Sequence, residues 1–364
     1  MKLFGVFAIF TVLILSSCAT REEVDKLSLI SAVGIEKNPD SDYKIIIQYL
    51  MPNKSQEPIP VTKEVEGLTI YEANKKLNEF LPRKPYWSHN SVILISEDMA
   101  KDGVRSQLDF FRRDTEMRQD MLVAITENPS KILYNLQKQQ LPGETLKLIA
   151  REASERNGLG EVSTIHKVYQ NLFFKKPFLT ITHILLDGEN PRIDGVSIFN
   201  KDKYITTIKE DEAKGFGLLN LKKNYSSVTI NCLDNENRKI TFELTNKKKR
   251  TDSFVNNLGN FEINLSLEFD AKMAENYCIK NMWKPDTIKE LEKSLNKKIK
   301  ELATKTIEHS QKNVKIDYFG FGNLLYLNNP KEWKEIEGEY KNVYKNANIK
   351  LKIKTRITQS GAVH

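Results

Sequence analysis

The first eighteen residues decide where the rest of the chain has to fold. Lys2 places a positive charge at the start, Leu3 to Leu15 run almost wholly apolar (LFGVFAIFTVLIL), and Ser16-Ser17-Cys18 close the stretch. This order of charge, apolar run and small residues is that of a secretory signal. Thirteen residues fall short of the ~20 that a helix needs to cross a hydrocarbon core. The segment therefore reads as residues 1–17 to be removed, and the fold is sought after them, in an exported body.

The ending Leu15-Ser16-Ser17-Cys18 resembles the lipobox of bacterial lipoproteins. That resemblance implies cleavage just before Cys18 and a diacylglycerol on its thiol, with 18–26 as a polar tether. Two acyl chains hold a protein stably at a bilayer where one is marginal. No other cofactor is expected, and no metal.

Composition agrees with a globular body. Hydrophobic residues make up 40% and charged residues 29%, which argues against disorder. Losing 1–17 removes only Lys2 from a formal net charge of +8. The cations are scattered, so nucleic acid is not an expected partner. The densest run, Lys247-Lys248-Lys249-Arg250, reads as a solvated turn ahead of a lipid or polyanion patch. Cys232 lies in a strand-like run and Cys278 in helix-like surroundings. Export permits a bridge, but two separate buried thiols are the favoured reading, since bridging depends on Cα separation.

Along the chain, Leu29–Ile35 and Tyr43–Leu50 read as a hairpin across a Pro/Asn/Asp/Ser cluster, and 52–66, with its three prolines, as a loop. A helix is expected over Thr69–Leu81, a buried strand at Ser91–Ser96, a helix over Asp98–Arg112 and a strand at Met121–Thr126. Ser130 is placed to cap the helix 131–139, and 144–174 is helical with a break at Asn157–Gly160. After Phe178 strands predominate, and turn signals at Asp187–Pro191 suggest a boundary. The most regular helix runs from Pro285 to about Ser310. Ile288, Leu291, Leu295, Ile299, Leu302 and Thr306 recur at steps of three and four, the stripe that packs a helix on its own sheet. Ile349–Ile357 alternates strictly and closes the chain as a strand. The reading is an α+β protein with largely antiparallel sheets in three consecutive mixed domains: 27–190, 191–250 and 251–364.

A catalytic constellation does not emerge. His89, His166, His183, His309 and His364 show no metal-ligand spacing. Nucleophile elbow, phosphate loop and Cys-x-x-Cys motifs do not occur. Phe319-Gly320-Phe321-Gly322 suits a turn with close aromatic packing better than a dinucleotide site. Asp109 and Asp114 beside Arg112-Arg113 suit a surface ion-pair cluster. His89 suits a hydrogen-bonded strand entrance.

Three stretches in order resemble the Ger(x)C family of spore germination lipoproteins. They are Leu29–Glu36; Trp87-Ser88-His89-Asn90-Ser91 through Gly103 and on to Leu108–Asp114 and Arg118; and Asp317–Gly322 followed by Pro330-Lys331-Glu332-Trp333. Asp194–Phe199 and Lys203–Gly217 resemble the family's middle segment. The resemblance covers essentially the whole mature chain, although Ser17-Cys18 stands where many members carry Gly-Cys. It implies three α+β domains and a non-enzymatic, lipid-anchored subunit on the outer face of the spore inner membrane. The implied partners are the A and B membrane subunits of a nutrient germinant receptor. No catalytic residues transfer from the family. A protein that works through surfaces concentrates binding in aromatic and arginine anchors, which singles out Trp87, Arg112 and Arg113 as a partner-facing patch. A free-standing nutrient-binding lipoprotein is the alternative reading. An exported enzyme acting on envelope polymers comes third.

Overall fold

A computed structural model describes residues 26–38, 42–53, 56–138, 141–160, 162–173, 178–220, 226–278 and 284–358. Cys18 and the segment 1–17 expected to be a signal lie outside the described residues. Among these residues no helix is long and apolar enough to cross a membrane.

The chain begins with β1 (Leu27–Glu36), β2 (Tyr43–Asn53), β3 (Gln56–Gly67), α1 (Ile70–Phe80), β4 (Lys84–Tyr86) and β5 (Val92–Ser96). It continues through α2 (Glu97–Asp102), α3 (Val104–Arg113), β6 (Leu122–Thr126), α4 (Pro129–Asn135), α5 (Pro142–Asn157) and α6 (Ile165–Phe173). The strands β7 (Phe178–Asp187), β8 (Asn190–Asn200) and β9 (Lys203–Lys209) complete a sheet of order β3-β2-β1-β5-β6-β7-β8-β9, with β4 on β1. Its centre is parallel, from β1 through β5 and β6 to β7, and antiparallel hairpins form both flanks. The central strands VILIS and LVAIT are buried throughout, because helices cover both faces. Ile70, Leu77, Val104, Leu108, Phe111 and Val168 pack on one face. Ile132, Leu133, Leu146 and Ala150 pack on the other.

The second sheet follows α7 (Glu210–Asn220). It comprises β10 (Ser226–Asn231), β11 (Lys239–Val255), β12 (Phe261–Asn276) and, after α8 (Pro285–Glu308), α9 (Phe321–Asn328), α10 (Pro330–Ile336) and α11 (Tyr340–Lys345), β13 (Asn348–Thr358). α8 buries Leu291, Leu295, Ile299 and Leu302 in one cluster with Ile263, Leu265 and Leu267 of β12, as the stripe predicts. Val196, Ile198 and Ile208 of the first sheet belong to that same cluster.

The α+β class is as expected, and the departures from the local reading have physical reasons. The segment read as a loop is largely β3, which pairs Leu50 with Pro60 and Met51 with Ile59; prolines are tolerated there because β3 is an edge strand. Gly103, at φ +124°, splits the expected 98–112 helix into α2 and α3. Asn128 rather than Ser130 caps α4, accepting from the Lys131 amide at 2.7 Å, while the Ser130 amide donates to the Glu36 carboxylate. The basic run is not a turn. Lys248, Lys249 and Arg250 pair with Glu268, Leu267 and Ser266 inside β11, just past an irregularity between Thr245 and Lys248. The turn signals at Asp187–Pro191 close the β7–β8 hairpin of one continuous sheet, and residue 250 lies within β11. Turn residues mark hairpins and linkers alike.

The thiol reading is overturned. Cys232 and Cys278 form a disulfide, with Cα atoms 5.4 Å apart. The hairpin of β10 and β11 with β12 brings together residues 46 apart in sequence, which spacing alone does not reveal. Cys232→Ser with Cys278→Ser should lower the stability of the oxidised protein by about 2–4 kcal/mol. Paired denaturant titrations check this, and the wild type under reductant should fall to the same midpoint.

Candidate interaction site on the N-terminal lobe

The helices α1 and α3 lie side by side, and the start of α1 is capped by side chains. Thr69 accepts from the Glu72 amide at 3.0 Å and the Glu72 carboxylate accepts from the Leu68 amide at 3.0 Å, a reciprocal cap. The Gly103 turn is held by the Val104 amide donating to the Asp202 carbonyl at 2.8 Å. α3 then buries Val104, Gln107, Leu108 and Phe111 and leaves Arg112 and Arg113 exposed.

Between the two helices lies an open groove of about 450 Å³, lined by Tyr43, Thr69, Ile70, Tyr71, Ser106, Asp109, Phe110, Arg113 and Asp114. Its aromatic wall is built edge to face: Tyr71 lies 6.4 Å from Phe110, centroid to centroid. Arg113 Nε donates to the Asp109 carboxylate at 2.6 Å. Arg112 turns away from the groove and lies over the Tyr169 ring at 4.5 Å. Burial pushes the Tyr169 phenol up to about 12, and its hydroxyl donates to the Arg105 carbonyl.

Trp87 departs from the sequence expectation. It is only 4% exposed, with Nε1 donating to Asn74 Oδ1 at 3.1 Å and its ring edge-on to Phe110 and Phe111 at 6.1 Å each. It supports the groove from below and presents no face to a partner. Phe110 takes the surface position instead. A tryptophan beside a strand start carries no sequence signal separating floor from surface. His89 is half-buried away from this groove, and burial, with the Arg118 charge, holds its imidazole below the usual range.

The first sheet also holds a buried polar chain that sequence reading missed. His183, fully buried, sits 2.5 Å through Nδ1 from Asp194 Oδ1 and 3.3 Å through Nε2 from Glu97 Oε1. Lys209 Nζ lies 3.1 Å from the other Asp194 oxygen. Tyr204 donates to Glu97 at 2.9 Å and lies 3.0 Å from Thr207, which lies 3.0 Å from Ser197. Burial pushes the Asp194 carboxyl up, but His183 and Lys209 outweigh it and hold the group below the ordinary range. The signal was present in the sequence. His183 and Asp194 stand equidistant from the Gly188-Glu189 turn, so a tight hairpin brings them close; an irregularity between His183 and Ile184 sets His183 opposite Gly195, with Asp194 alongside.

Asp317 explains the aromatic-glycine run. Its carboxylate, 5% exposed, accepts from the amides of Phe319, Gly320 and Gly322 and from the Tyr340 hydroxyl at 2.6 Å. Gly320 has φ +79°, and a Cβ on Gly322 would fall 2.3 Å from the Tyr340 ring. Both glycines are thus required by the cage, and Phe319 and Phe321 are core residues, as expected.

Family models match two consecutive parts of the chain. Residues 20–184 match the spore germination protein N-terminal domain, and residues 194–361 match the spore germination B3/GerAC-like C-terminal domain. The chain belongs to the Ger(x)C family. Among curated relatives of this family, spore germination protein KC of Bacillus subtilis (strain 168) is 23% identical, over 99% of this chain and 96% of its own length. Spore germination protein B3 of the same organism is 22% identical, over 97% and 96%. The crystal structure of the GerBC protein superposes with a TM-score of 0.60 at 15% identity, covering 89% of this chain and 96% of that one; this Ger(x)C chain shares its fold. The two matched parts end and begin on either side of the β7–β8 turn, at residues 184 and 194, so His183 belongs to one and Asp194 to the other.

Proposed function

We propose that this chain is the membrane-anchored, non-enzymatic C-type subunit of a spore nutrient germinant receptor. In this role it is held by a diacylglycerol on Cys18 at the outer face of the spore inner membrane and works in concert with the A and B membrane subunits. The observation that carries the reading is the pair of family matches, which together span most of the chain. It is supported by where the chemistry-bearing side chains lie. His183, Asp194 and Asp317 are enclosed and engaged in internal hydrogen bonds and ion pairs, while the exposed features are a groove and charged faces suited to partners. Tyr71, Phe110 and Arg113 at the groove, with Arg112 beside it over Tyr169, form the patch assigned to the other subunits.

Arg112→Ala with Arg113→Ala removes the exposed Arg113–Asp109 ion pair, worth about 0–1 kcal/mol, and the Arg112 contact over Tyr169, worth about 0.5–1 kcal/mol at an exposed site. Thermal unfolding should stay close to wild type, while spores carrying the variant should respond poorly to one nutrient class and still germinate by receptor-independent routes. Spores with Cys18→Ala should lose the protein from the membrane fraction. A normal nutrient response from the arginine variant would remove the patch; an unmodified Cys18 in wild-type spores, read by mass spectrometry, would remove the anchor.

A further inference from the structure

The outer face of the second sheet carries an unusual charge order. β13 pairs in parallel with β12 and forms the sheet edge. Its inward residues Ile349, Leu351, Ile353 and Ile357 pack against the core cluster beneath α8. Every outward position from 350 to 356 is a cation: Lys350, Lys352, Lys354 and Arg356, all exposed. At ~3.3 Å per residue this stripe runs about 20 Å along the sheet edge. Carboxylates hold its two ends, Glu262 at 2.8 Å from Lys350 and Asp270 at 2.8 Å from Arg356. Between the ends, Glu268 of β12 lies between Lys354 and Lys248, and the next row has no acid. Lys352 lies opposite Ser266, and Ser266 opposite Arg250 of β11, so this row across three strands holds two cations and no acid. Asp252, in the neighbouring row, lies across Asn264 from Lys350. Among the described residues neither Arg250 nor Lys352 has a carboxylate within ion-pair distance. These residues line a shallow open depression of about 430 Å³.

We infer that this face docks the folded body onto a bilayer surface bearing anionic phosphate headgroups. The charge sign selects an anionic partner, and two features select a membrane over a protein. Protein interfaces are enriched in aromatics and depleted of lysine and serine at their centres, whereas the outward face from Lys248 to Asp252 and from Lys350 to Arg356 has no aromatic residue and sets six cations, Lys248, Arg250, Lys350, Lys352, Lys354 and Arg356, against the four acids Asp252, Glu262, Glu268 and Asp270. An array of exposed cations spread over about 20 Å matches a surface of many headgroups, each basic side chain near such a surface adding to attraction; a single phosphate would need an enclosing pocket. The inference concerns the folded body alone and does not require the anchor at Cys18. The anchor would fix the distance to the membrane, and this face would fix the orientation.

The test uses the chain from Ala19 onward, which keeps every described residue and carries no lipid. It should sediment with vesicles of phosphatidylcholine containing phosphatidylglycerol, not with phosphatidylcholine alone, and should be released at about 1 M salt, where the screening length is ~3 Å. Arg250→Glu, Lys352→Glu and Lys354→Glu together should weaken partitioning at least about tenfold with an unchanged melting curve. Lys293→Glu, Lys297→Glu and Lys300→Glu, on α8 at the far side of the same sheet, alter net charge equally and should leave most binding intact. Equal losses in both triples would overturn the docking face in favour of net charge alone. Displacement of wild type by inorganic phosphate at constant ionic strength would overturn it in favour of a single-ion site. Retention on polyglutamate without vesicle binding would overturn it in favour of an acidic protein partner. None of these outcomes bears on Cys18, so the receptor-subunit reading stands or falls separately.

Discussion

Replacing Leu295 with aspartate should abolish the cooperative unfolding transition of the second lobe. Leu295 is fully buried midway along α8, in the cluster formed with β12, α7 and the aromatic residues Phe216, Tyr318 and Phe321. A carboxylate there has no cation within the cluster, and burying an unpaired charge costs several kcal/mol, on top of the roughly 2–5 kcal/mol lost on truncating a buried leucine. Domains are stable by only about 5–15 kcal/mol, so the change consumes most or all of that margin. Because Val196, Ile198 and Ile208 share the cluster, the first sheet should loosen at its β8–β9 flank as well. Limited proteolysis and circular dichroism read the outcome, with exposed Lys293→Asp as the control that should melt like wild type. A Leu295→Asp protein with an intact transition that lost only membrane partners would show α8 to be a docking helix rather than a core helix.

The second large effect is expected at His183. His183→Ala removes the group between Asp194 and Glu97 and leaves two carboxylates facing one enclosed space, with only half-exposed Lys209 as compensation. Breaking a buried pair from one side typically costs about 3–5 kcal/mol. His183→Ala with Asp194→Ala should cost much less than the sum of the single changes, because the stranded charge goes with its partner. The pH dependence has a definite sign. The Asp194 carboxyl is depressed in the folded protein, so its contribution is present above the ordinary carboxylate value of about 3.9 and is lost as pH falls through the lower folded value. Wild type should therefore lose stability on acidification in that window, and His183→Ala should lose less there. Denaturant midpoints as a function of pH decide the matter; parallel curves for the two proteins would mean that the pair is not coupled.

These two sites divide what sequence and structure each contributed. The α8 stripe was fully legible, because a helix exposes its burial pattern at steps of three and four to anyone reading one strand of text. The alternation of β13, the buried runs VILIS and LVAIT, and the break at Gly158 were legible for the same reason: each is a local periodicity or a local backbone demand. The family resemblance, too, rests on local stretches in order. What the sequence could not decide involves partners distant along the chain. Trp87 is a groove floor only because Phe110 and Phe111 of α3 close over it. Cys232 meets Cys278 only because the long β11–β12 hairpin folds back. The basic run 247–250 becomes part of a face only when β12 and β13 set Ser266 and Lys352 beside Arg250. Residue type and spacing fix which way a side chain points within its own element, whereas burial, bridging and charge pairing depend on which other element arrives opposite it, and that is settled by sheet order and register.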